Sequence, residues 1–122
     1  MDNTEVVNNT SKYIVKTTGA GSETNQELVD AEKLAEGTDG SKVSLIECYY
    51  LIEGTGTLTI SAASETETQA AGKTVAKPLS LTGKGKYGLR PNQLKYGNDK
   101  IIKLTTDSNV KSYLLVTEFR RN

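Results

Sequence analysis

"SKVSLIECYYLIEGTGTLTISA", residues 41–62, decides how the rest of the chain is read. Strict alternation over 41–52 puts Val43, Leu45, Tyr49 and Leu51 on one side of an extended strand and Ile46, Cys48, Tyr50 and Ile52 on the other. Two apolar sides predict a central strand covered above and below. Glu53-Gly54-Thr55-Gly56 then turns the chain, and Leu58, Ile60 and Ala62 alternate with hydroxyl side chains. That pattern predicts a hairpin whose second strand has one wet face.

Working outward, "KYIVKTT" (12–18) alternates and stops at Gly19-Ala20-Gly21, a strand and a turn. In "NQELVDAEKLAEG" (25–37), Leu28, Ala31, Leu34 and Ala35 fit a helical period, whereas "QELVD" fits a short strand. With Gly37 as a stop, a strand followed by one helical turn is the favoured reading. Residues 64–77 are polar and predict an exposed loop. "PLSLTG" (78–83) and "KYGLR" (86–90) read as short strands about a Gly-rich turn. "DKIIKLTT" (99–106) and "VKSYLLVTEFR" (110–120) read as a second hairpin about Asp107-Ser108-Asn109. The count is about seven to eight strands with at most one helical turn. The fold expected is therefore all-β, a small antiparallel β-sandwich or jelly-roll-like barrel. Residues 1–11 are polar and aperiodic and predict an extended N-terminal arm, leaving 12–122 as a single β-sandwich domain. Neither an internal repeat nor a linker interrupts that domain.

Composition narrows the function. The 122 residues carry 15 basic and 15 acidic side chains, so no net field draws the molecule onto DNA or a membrane surface. The charge is divided unevenly: residues 1–82 hold 12 acids and 6 bases, a net −6, and residues 83–122 hold 3 acids and 9 bases, a net +6. Cys48 is the sole cysteine and histidine is absent. An intrachain disulfide is thereby excluded, zinc sites as ordinarily built are excluded, and Cys48 in its apolar run reads as an inert buried thiol. Glu65 with Glu67, and Asp30 with Glu32, lack the oxygen spacing of calcium loops. No cofactor or metal is expected. The first residues show neither a basic nor an apolar leader region, and no apolar run reaches membrane-spanning length. Synthesis in a cytosol is the expectation, with the sequons at Asn8 and Asn9 idle.

Several motifs resolve into ordinary structure. "AGKT" (71–74) ends like a phosphate-binding loop, but the position needing the first glycine is Glu67, and neither flank supplies the strand and helix required. "GKGKYG" (83–88) lacks the helix start that completes a phosphate cradle. Lys84, Lys86, Tyr87, Arg90, Lys95 and Tyr96 form a basic, tyrosine-bearing stretch. Such a stretch suits either a stacking platform for single-stranded nucleic acid or a charged sheet edge offered to protein. With Phe119 the sole Phe and no Trp, the protein-facing reading is preferred. A carboxylate pair for sugar hydrolysis has no Trp beside it to hold a ring, and the chain reads as non-enzymatic. Val6 and Val7 are a pair of apolar side chains in the polar arm able to anchor into a neighbour's groove, and Arg120 and Arg121, ending the last strand, read equally as guanidinium groups for a neighbour's carboxylates or as solvated chain-end charges.

"KYIVKTT", "YYLIEGTGTLTIS", "LTGKGKYGLR" and "KSYLLVTEF", spread over residues 12–119, together resemble the β-rich decoration proteins (head-cement or auxiliary capsid proteins) of tailed bacteriophages. The resemblance rests on strand order and an aromatic-then-"GTGT" turn, and it carries no residue-level binding motif. It implies a virion structural protein on the outer capsid surface, made in the host cytoplasm, that binds the major capsid protein or another virion protein and stabilises contacts between capsid subunits. Self-association into a homo-oligomer is a further expectation. The alternatives from the residues are a small barrel binding single-stranded nucleic acid and a carbohydrate- or receptor-binding module of a virion.

Overall fold

The computed structural model describes residues 1–38, 40–62, 68–70, 73–75, 79–88 and 96–121. It is all-β and antiparallel, two sheets packed face to face. The larger sheet has six strands. β1 (Asp2–Asn8), β2 (Lys12–Gly19), β12 (Val110–Arg121), β4 (Val43–Gly54) and β10 (Tyr96–Asp99) follow one another across it, and β9 (Lys84–Gly88) pairs with β4 beside β10. The smaller sheet runs β3 (Gln26–Asp30), β11 (Ile101–Thr106), β5 (Leu58–Ala62) and β8 (Leu79–Leu81). A separate hairpin joins β6 (Thr68–Ala70) and β7 (Lys73–Val75).

The twelve described strands exceed the seven to eight expected because polar segments also pair. The 64–77 excursion contains β6 and β7, and the polar N-terminal segment lies along β2 as an edge strand, from Asp2 opposite Thr18 to Asn8 opposite Tyr13. Main-chain pairing needs no apolar side chain, so hydropathy alone does not report it. Residues 25–37 follow the favoured reading: β3, then a single 3-10 turn, Ala31–Lys33, capped by Asp30, whose Oδ1 accepts the Glu32 N–H at 3.1 Å.

The connectivity differs from two expected hairpins. Glu53–Gly56 carries the chain from β4 in the large sheet to β5 in the small one, and Asp107–Asn109 carries it from β11 to β12 in the opposite direction. These are arches between sheets, and they lock together. The Asp107 carboxylate accepts the Thr57 N–H at 2.9 Å through one oxygen and the Asn109 N–H at 2.9 Å through the other. Gly56 lies so close beneath that an added Cβ would sit 2.2 Å from Asp107 Oδ1 and 2.4 Å from the Val110 nitrogen. Gly54 holds a positive φ of 99°, which a side chain would resist.

Between the sheets lies one core. Phe119, Leu115, Leu45 and Val15 from the large sheet, all fully buried, meet Leu28, Leu58, Ile60, Ile102 and Leu104 from the small one. Tyr13 stacks near Phe119, with ring centroids 6.3 Å apart. The outward side of the small sheet is polar, as Thr59, Ser61 and Thr105 require.

Candidate protein-docking face

β4 is buried on both sides only over its first half, Val43–Cys48. Within that half a bulge changes which side of the strand faces the core. Glu118 of β12 pairs with Glu47 but Phe119 pairs with Leu45, so Ile46 is an extra residue and the alternation shifts by one. Before the bulge Val43 and Leu45 face the core; after it Cys48 and Ile52 do. Tyr49 and Leu51, expected to share a side with Val43 and Leu45, are turned outward and remain 51% and 44% exposed.

The register across the large sheet assembles these residues into two outward rows. In one, Thr18, Leu114, Leu51 and Lys84 stand side by side on β2, β12, β4 and β9. In the next are Lys16, Val116, Tyr49 and Lys86. Leu114 is itself exposed. The apolar side chains line a shallow groove of about 290 Å3 that Tyr50 and Lys84 also line. A contiguous apolar strip on the central strands of a sheet, edged by cations, is the usual make-up of a protein contact.

The lysines differ in role. Lys86 Nζ lies 2.9 Å from Glu47 Oε1 and 5.3 Å from the centre of the Tyr49 ring. The Glu47 hydrogen bond first, and Tyr49 second, raise the Lys86 pKa above its ordinary value, so the ammonium is already engaged within this face. Lys84 and Lys16 make no ion pair among the described residues and are the cations available to a partner.

Of the residues singled out in the sequence, only Lys84 and Lys86 come together on this face. Tyr87 pairs with Cys48 on the opposite side of β9 and packs half-buried against the core. Burial accordingly raises its pKa. Arg90 and Lys95 lie outside the described residues, as do Glu65, Glu67, Ala71 and Gly72. Tyr96 has its backbone opposite Leu45, but its side chain is also outside the description. Val6, 59% exposed, and the half-buried Val7 are on β1, at the far edge of the sheet. Arg120 is exposed near the chain end. Arg121 is turned onto its own chain, donating from Nη1 to the carbonyls of Asn9, at 2.8 Å, and Ala35, so it clasps the fold where a neighbour's carboxylate was expected.

Tyr49, Leu51, Leu114 and Val116 were not picked out from sequence, because an apolar residue in an alternating strand reads first as core. The available signal was surplus: β4 has more apolar positions than a one-sided strand can bury.

Cys48 is fully buried, and burial pushes its thiol up to about 11, in keeping with an inert role. Among the described residues no group of three acidic, Cys or His side chains is placed to hold a metal ion. No helix among the described residues is long and apolar enough to cross a membrane.

No family model matches the chain. No curated protein matches it either. Among solved structures, a cupin domain from Bordetella pertussis Tohama I is similar over 99% of this chain and 92% of that one, at 11% identity and a TM-score of 0.41. At that distance nothing about activity passes from it to this chain.

Proposed function

We propose that the protein is a non-enzymatic virion structural module that docks onto a capsid subunit through the outer face of its larger sheet and braces contacts between major capsid subunits. The observation that carries the docking is the outward strip of exposed Tyr49, Leu51 and Leu114 with half-buried Val116, edged by Lys84 and Lys16. These side chains stand on β4 and β12, the two longest strands, whose mutual pairing holds the strip rigid before any partner arrives. The partner surface that fits is an apolar knob ringed by carboxylates. The resemblance to decoration proteins supports a virion subunit as its owner, and repetition over a lattice would multiply a modest affinity at each copy.

A single-stranded nucleic-acid platform has less support. Lys86 is engaged by Glu47 and Tyr87 is turned into the molecule, leaving Lys84 as the one cation of β9 free for phosphate.

The test is co-sedimentation with capsids lacking the protein. Leu51→Asp and Leu114→Asp, at exposed positions, are expected to keep the melting temperature and lose at least tenfold in occupancy, since a central anchor contributes about 2 kcal/mol. Lys84→Glu is expected to weaken binding mainly at low salt. Full occupancy by a folded Leu51→Asp protein would sink the docking assignment.

A further inference from the structure

The two sheets leave an open seam on one side, between edge strands β1 and β3. Two cross-links bracket it. At one end the Met1 amino group lies 3.0 Å from Glu23 Oε1, and Glu23 Oε2 accepts from Tyr113 Oη at 2.5 Å. At the other end the Ala35 N–H donates to Asn8 Oδ1 at 3.0 Å, beside the Arg121 clasp. Between them lies an open cleft of about 260 Å3.

Its walls are chemically uneven. Tyr13, Leu28, Val29 and Leu34, all buried, supply an apolar floor. Glu5, Glu27 and Asp30 stand round it with a single cation, Lys33. That lysine does not satisfy them. Its Nζ lies 3.9 Å from both Glu27 Oε1 and Asp30 Oδ2, beyond hydrogen-bonding reach, and its side chain is 76% exposed at the rim. The Asp30 side chain, by contrast, is only 9% exposed; one oxygen caps the 3-10 turn and the other has no closer partner than Lys33. Tyr13 is 5% exposed, forms part of the wall, and its hydroxyl has no hydrogen-bond partner among the described residues. The phenol of a buried tyrosine and one carboxylate oxygen of a nearly buried aspartate, both without a close partner and both open to solvent, line one small space beside aliphatic side chains.

We infer that this interlayer cleft binds a small alkylammonium ligand, the ammonium taken by Asp30 and Glu5 with the Tyr13 oxygen accepting, and a short aliphatic body lying on Leu28 and Leu34. The net charge of the four ionised side chains, three acids and one base, selects a cation. The apolar floor selects an organic one over a hydrated metal ion, which wants oxygen on all sides. An aromatic ring in the wall adds the usual attraction of its face for a cation. The cleft is on the open side of the sandwich and shares no lining residue with the docking groove, so the inference is independent of the proposed function.

The test is an NMR titration of the isotopically labelled full chain with n-butylammonium chloride at constant ionic strength, with n-butanol as the neutral isostere. Saturable shifts at Tyr13, Leu28 and Leu34 with Kd of about 1 mM, absent with n-butanol, are expected. Glu5→Gln, at an exposed position, is expected to weaken binding by roughly tenfold, the loss of one charge-assisted hydrogen bond. Lys33→Met is expected to tighten it several-fold, because the competing ammonium is gone, an outcome that a purely structural role for Lys33 would not produce. Non-saturating shifts up to about 20 mM, equal shifts from n-butanol, or unchanged affinity in Glu5→Gln would each overturn the assignment.

Discussion

Two buried threonines on the inner face of the large sheet offer a matched experiment with opposite outcomes. Thr17 on β2 and Thr117 on β12 are each 0% exposed. Thr17 Oγ1 donates to Asn3 Oδ1 at 2.7 Å, tying β1 to β2. Thr117 stands between Val15 and Cys48 in the register, and its Oγ1 has no partner among the described residues. Valine has nearly the volume of threonine, so either replacement leaves packing intact and reports the hydroxyl. Removing an unpaired hydroxyl from an apolar site relieves a desolvation cost of about 1–3 kcal/mol. Thr117→Val is therefore expected to raise the unfolding free energy by about 1–2 kcal/mol, and the melting temperature by about 4 °C per kcal/mol in a domain of this size. Thr17→Val is expected to lose about 1 kcal/mol, the net worth of the deleted bond, since the exposed Asn3 oxygen is taken up by water. Urea denaturation of both variants, read at unchanged m-value, measures the difference. A Thr117→Val protein no more stable than the parent would refute the reasoning, since its hydroxyl would then be paired in the folded state.

Other consequences are as direct. Gly56→Ala drives a Cβ to 2.2 Å from Asp107 Oδ1 and against the backbone of Val110, and is expected to cost about 3 kcal/mol or more by denaturant titration. Asp107→Ala, which removes the acceptor of two arch N–H groups, is expected to cost about 2–4 kcal/mol in the same assay. The Cys48 thiol, raised from 9.0 to about 11 by burial, keeps its proton in the folded state where the unfolded chain loses it. The unfolded state then binds fewer protons, so this group's contribution is intact below pH 9 and lost as pH climbs from 9 to about 11. At pH 8 its labelling by a disulfide reagent is expected to follow global unfolding measured by hydrogen exchange; faster labelling would show a local opening over β4.

The docking face bears on how a sandwich is made adhesive without losing its fold. A single inserted residue, Ile46, changes which side of β4 carries its apolar surplus. The core keeps Leu45, Cys48 and Ile52, while Tyr49 and Leu51 become surface. The Lys86–Glu47 pair contributes little stability at an exposed lysine, yet it fixes the Tyr49 ring from one side. Preorganisation of this kind lowers the side-chain entropy lost when a partner seats.

Residue alternation alone was enough to establish an all-β fold class, strands within 12–18, 41–52, 57–62, 99–106 and 110–120 that the structure places at nearly those positions, and the inward alternation of Leu45, Leu58 and Ile60. A period of two reports which side chains share a side, and it does so locally. It carries no information on which strand lies alongside. Glu53–Gly56 and Asp107–Asn109 have the composition of hairpin turns, and only packing against one another, through Asp107 and the close approach of Gly56, made them arches between sheets. The bulge at Ile46 was equally invisible, because an extra residue reveals itself only against a partner strand that has none. Tertiary pairing, by shifting that alternation one place, is what set Tyr49 and Leu51 beside Leu114, Val116 and the lysines of β9 on the outer face.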